Sequence, residues 1–116
     1  MNVSIVLAAL VAVVFTMLGA AKILALPQMQ ARAAHAGFSV AAYRRIGVLE
    51  VAGAAGVLIG LIRPVVGGMA SVGLLALLAG AVVTHLRNHD GPREAAPAVV
   101  CVVLVAGYLA ALIGTS

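Results

Sequence analysis

Charge is what this sequence has least of. Only 9% of its 116 residues are charged and three are acidic, where a soluble domain carries about a quarter charged residues. That scarcity excludes an ordinary soluble fold. Tryptophan is absent, and tyrosine and phenylalanine number two each, which argues against an aromatic-lined substrate site. Cys101 is the single cysteine, so an intrachain disulfide, a CxxC redox pair and a thiolate metal cage are excluded. No basic stretch precedes the apolar run at Val3, so that run reads as a retained first span and not as a cleaved signal.

What is present is hydrocarbon. The chain is 65% hydrophobic, with a mean hydropathy of +1.24, the composition of an integral membrane protein. Its length suits four spans of about 20 residues with short connections. The formal charge of +4 fits orientation in a bilayer and contact with anionic lipid, and implies no nucleic acid. An all-α bundle of four transmembrane helices, one domain over residues 1–116, is the expected architecture.

The expected spans are 3–26, 40–62, 65–89 and 97–114. Pro27 ends the first, with Lys22 about 6 Å inside and within snorkelling reach of the interface. Between spans, Pro27 and Gly37 bracket a helix-forming stretch that reads as a short interfacial helix, and Ser39 can cap the next helix. The Arg63-Pro64 link forces spans two and three into an antiparallel hairpin. Gly91 and Pro92 end span three and Pro97 opens span four.

Glu50 stands alone in the apolar stretch Ile46 to Ile62. A carboxylate at that depth costs about 2.5–3.5 kcal/mol on insertion scales, so it faces the bundle interior, has a partner and marks a site. Arg32, Arg44, Arg45, Arg87 and Arg93 flank connections one and three, and only Arg63 lies opposite. The bias predicts those connections in the cytoplasm and both termini outside. Lys22, Glu50 and His85 then share one layer near the cytoplasmic face, with Arg87, His89 and Asp90 at its mouth.

Small residues recur every fourth position as Ala52, Gly56 and Gly60, as Ala76, Gly80 and Thr84, and as Ala106, Ala110 and Gly114. Such rows allow close helix approach and self-association. His85 and His89, at i and i+4, suit two ligands to one metal. A third histidine is missing unless His35 folds over, so no metal site is assigned.

GAAKIL closing the first span, IGVLE opening the second, and AVVTHLRN followed by an acidic residue closing the third resemble the DoxX-like family of small bacterial membrane proteins. The resemblance implies a four-span bundle in the bacterial plasma membrane, with Lys22, Glu50, His85 and Arg87 at the family's recurring polar positions. The family takes its name from a subunit of a thiosulfate:quinone oxidoreductase, and the resemblance therefore implies redox-associated chemistry with quinone as the possible cofactor.

Several roles fit those groups. Glu50 and His85 are the candidate catalytic pair, and Lys22, Glu50, His85 and Arg87 the candidate ligand set. Buried donors and acceptors of this kind can bind quinone oxygens and move protons to them. A cofactor-free isomerisation of a lipophilic substrate, with Glu50 as base and His85 as acid, is a second reading. A third is a non-catalytic subunit of a membrane complex or homo-oligomer, in which Glu50 forms a structural ion pair with Lys22, Arg45 or Arg87. A proton-coupled exporter also fits a single membrane carboxylate, but small four-span exporters carry theirs on span one.

Overall fold

The structure, a computed structural model, describes residues 3–115, with the side chains of residues 92–95 and 115 left out; Arg93, placed by its sequence at the third connection, is among them. Five helices account for nearly all of it: α1 (Val3–Ile23), α2 (Pro27–Ala36), α3 (Val40–Ile59), α4 (Pro64–Arg87) and α5 (Pro92–Thr115). The four long ones form a bundle in the ring order α1, α3, α4, α5, with the most extensive packing between α1 and α3. The short α2 lies across one end, on α1 and α3.

The core runs down the ring's axis through Val11 and Phe15 of α1, Val57 of α3, Leu74 of α4, and Val105 and Tyr108 of α5. Outside it, large apolar side chains face outward on every long helix, among them Met17, Val48, Met69, Val72 and Val103. In water such an exterior would aggregate; in lipid it is the solvated face. Three helical stretches are long and apolar enough to cross a membrane: Val3–Ile23, Pro64–Arg87 and Ala96–Gly114. The fourth long helix, α3, falls outside that set because Arg44, Arg45 and Glu50 stand within its 20 residues. The protein is thus an all-helical membrane bundle in which three helices have the composition of independent spans and the fourth carries the charge.

Three connections at the polar end close with the same local geometry. α1 stops at Ile23 because the chain turns through Ala25, which adopts the left-handed φ of 52°; Leu26 N–H then bonds the Ala21 carbonyl at 3.2 Å. This frees Pro27 to take the first position of α2, where its missing N–H costs nothing. α2 stops at Gly37, φ 81°, with Phe38 N–H on the Ala33 carbonyl at 2.8 Å. α4 stops before His89, φ 56°, with Asp90 N–H on the His85 carbonyl at 2.9 Å. Each turn satisfies carbonyls that a helix end would leave open, and each fixes the direction in which the chain leaves the helix. Ser39 caps α3 by accepting from Ala42 N–H at 3.0 Å.

At the opposite end α3 and α4 are joined through residues 60–63, into which the last turn of α3 frays. Leu61 N–H bonds the Leu58 carbonyl there, one residue short of its helical partner Val57. The Tyr108 hydroxyl, buried between Gly60 and Gly67, donates to the Val57 carbonyl instead, at 2.8 Å. α5 begins at Pro92, earlier than Pro97, which lies inside it.

Candidate ligand site at the polar end of the bundle

Lys22 and Glu50 meet because α1 and α3 cross at Gly19 and Gly47, where neither helix carries a side chain. A Cβ built on Gly19 would lie 2.6 Å from the Gly47 carbonyl oxygen, and one on Gly47 would lie 2.8 Å from the Lys22 Cβ. Both are nearer than real Cβ atoms come, so only glycine fits at either position. With the backbones that close, the Lys22 ammonium donates directly to Glu50 Oε1. The Glu50 side chain is 4% exposed and that of Lys22 14%. The carboxylate is therefore sealed, while the lysine stem leads outward.

The outward side of the lysine is aromatic. Its Nζ stands 5.0 Å from the centre of the Tyr43 ring, within the range of a cation–π attraction. Tyr43 in turn stacks on Phe38, ring centres 6.3 Å apart. Two of the four Phe and Tyr rings in the chain thus gather beside one cation. Around them runs a crevice lined by Lys22, Met29, Gln30, Ala33, Val40 and Tyr43, closed to a water-sized sphere. Its roof is α2, through Met29 and Ala33, the two buried residues of that helix.

A second polar group lies at the same end. His85 Nδ1 is 2.7 Å from one oxygen of Asp90, and His35 Nε2 is 2.9 Å from the other. A carboxylate only accepts, so both nitrogens carry the proton. The hydrogen bonds from His85, and then from His35, hold the Asp90 carboxyl below the usual aspartate range despite its partial burial. Asn88 adds a bond from its side-chain amide to the His35 carbonyl at 3.1 Å. Arg87 and His89 are exposed beside this group.

Of the residues that the sequence places in one layer, the structure joins Lys22 to Glu50, and it joins His85 to Asp90 and, across Asp90, to His35. Arg87 stays on the exposed end of α4. Sequence reasoning missed Tyr43; its one signal was an aromatic at the start of the helix that carries Glu50. The His35–Asp90 contact joins residues 55 apart and has no sequence signature. Among the described residues no group of three His, Cys, Asp or Glu is arranged to hold a metal ion.

A larger groove, about 680 Å³, opens on the outer face between α3 and α4. Ala52, Gly56, Met69, Gly73 and Leu77 are among its walls, and no ionisable residue lines it.

The model of the DoxX-like family matches residues 6–107, a stretch that contains Lys22, Glu50, His85 and the turns that place them. The chain belongs to the DoxX-like family. No curated protein and no solved structure matches this DoxX-like chain.

Proposed function

We propose that this DoxX-like protein is a redox-associated protein of the bacterial plasma membrane, acting as one domain, that binds a quinone or another lipophilic ligand at the Lys22–Glu50 pair. The observation that carries the reading is the pair itself: an ammonium and a carboxylate enclosed together in an apolar bundle, with an aromatic ring against the cation. Such groups are expensive at membrane depth and mark functional sites. A ligand with carbonyl oxygens would accept from the Lys22 ammonium and stack on Tyr43. Glu50 would hold the balancing charge or exchange a proton. His85 and Arg87 belong to the rim. The quinone class rests on the family, and the cytoplasmic placement of this end rests on its arginines. Reagent access to Ser39→Cys from one side of the membrane only, the cytoplasm, checks the placement.

The test is native mass spectrometry with lipid extraction on gently solubilised protein. Wild type is expected to carry a stoichiometric lipophile that Glu50→Gln and Lys22→Ala lose while remaining folded. Equal retention in all three proteins would remove Lys22 and Glu50 from the site. The open α3–α4 groove supports a second reading, an accessory subunit packed against another helix. That reading gains if wild type retains no lipophile and copurifies with a membrane partner instead.

A further inference from the structure

α2 is attached to the bundle by little. It packs on α1 and α3 through Met29 and Ala33, and both of its ends are left-handed turns, at Ala25 and Gly37. Those two residues are pivots: each lets the chain reverse direction without extending the neighbouring helix. Met29 and Ala33 form the roof of the crevice in which Lys22 meets Tyr43. With α2 in place the crevice admits nothing the size of a water molecule, so a ligand that enters it beside Lys22 and Tyr43 needs α2 displaced.

What fastens the far end of α2 is Asp90. It takes one hydrogen bond from His35 in the last turn of α2 and one from His85 at the end of α4. Among the described residues these two histidines are the titratable groups that face its carboxylate. The Asn88 amide adds its bond to the His35 carbonyl. Among the described residues the hydrogen bonds between α2 and the α4–α5 link join Asn88 and Asp90 to His35. We propose that α2 is a hinged lid over the Lys22–Glu50 site, pivoting on Ala25 and Gly37 and latched by the His35–Asp90–His85 clasp. The lid deepens the reading of Lys22 and Glu50 as a ligand site, and rests on it.

The latch has an internal order. His85 only steadies Asp90, while His35 joins α2 to it. A lid therefore opens more on losing His35 than on losing His85. Simple loss of packing would rank the two the other way, because the His85 side chain is 28% exposed and that of His35 58%.

The experiment uses the full chain in membranes, with Cys101→Ala and Met29→Cys placing a single thiol under α2, and reads the rate of maleimide labelling. Loss of hydrogen bonds to a charged acceptor is expected to raise the rate about tenfold or more in His35→Ala and Asp90→Ala, with a smaller rise in His85→Ala. Unchanged labelling in His35→Ala, or a larger rise in His85→Ala, overturns the lid. Should Asp90→Ala fail to fold, the two histidine variants decide alone. Bound lipophile in the same membranes separates the two readings. Its absence from wild type with the labelling order intact leaves the lid and removes the ligand; its presence with labelling unchanged does the reverse.

Discussion

Gly19 and Gly47 face one another across α1 and α3 so closely that a Cβ on either would stand 2.6 Å from the other's carbonyl oxygen. The crossing is what brings Lys22, one turn on from Gly19, to Glu50, one turn on from Gly47. Packing and electrostatics are here one feature. A methyl group at the crossing separates the helices, and separated helices leave both charges unpaired.

Gly47→Ala is accordingly expected to destabilise the bundle by about 1–3 kcal/mol through overpacking. Gly80→Ala, where a Cβ meets nothing within 4 Å, is expected to be neutral or to stabilise by up to about 1 kcal/mol through helix propensity. Unfolding titrations in mixed detergent micelles compare the two. Equal effects would mean that the crossing does not govern stability.

The ion pair predicts non-additivity. Removing one partner of a buried pair leaves the other charge uncompensated, at a cost of about 3–5 kcal/mol, whereas replacing both by apolar side chains is close to neutral. Lys22→Met is expected in the lower part of that range, because Lys22 lies at the edge of its helix. The double variant Lys22→Met with Glu50→Leu is expected to recover most of the loss in the same titration. A double variant as unstable as the sum of the singles would show that the two charges act separately.

Tyr108→Phe keeps the ring and removes the hydroxyl, leaving the Val57 carbonyl without the donor that replaces Leu61 N–H. An unsatisfied buried carbonyl costs about 1–3 kcal/mol, and the loss should appear as a lowered Tm. Faster amide exchange should appear at the end of α3 and nowhere in α2.

The clasp on α2 has a defined pH response. The hydrogen bonds from His85 and His35 lower the folded-state pKa of Asp90. A lowered carboxyl pKa contributes stability that is complete above the ordinary aspartate range and is lost as pH falls through the lowered value. Amide protection in α2 should therefore hold steady on acidification down to about pH 4 and fall below it. In Asp90→Ala that acid step should be missing. A step of the same size in the variant would place its origin elsewhere.

Much of the polar end can be read from single residues. Glu50 is conspicuous because its neighbours are apolar, and Lys22 because it interrupts α1; Pro27, Gly37 and Ser39 announce α2 and its borders through backbone chemistry alone. What stays hidden is direction. Nothing in the spacing says that His85 turns toward Asp90, because that depends on His89 entering the left-handed region, which only a few per cent of non-glycine residues do. The end of α1 is hidden in the same way: Pro27 marks a limit, but the helix stops at Ile23 because Ala25, an alanine, takes the turn. The count of spans is blurred by α3, whose charges make it unlike its neighbours in composition while it packs as one of them.

The separation of 28 positions from Lys22 to Glu50 also sets an order of events during synthesis. α1 leaves the ribosome first, with its lysine close enough to the interface to reach water while it waits. α3 emerges later with a carboxylate on a shorter side chain, which the bundle buries, and it meets a counter-charge already in the bilayer. α3 is thus expected to insert as a dependent span, helped by the helix before it. In an insertion assay it should enter less well alone than behind α1, and Glu50→Leu should erase the difference.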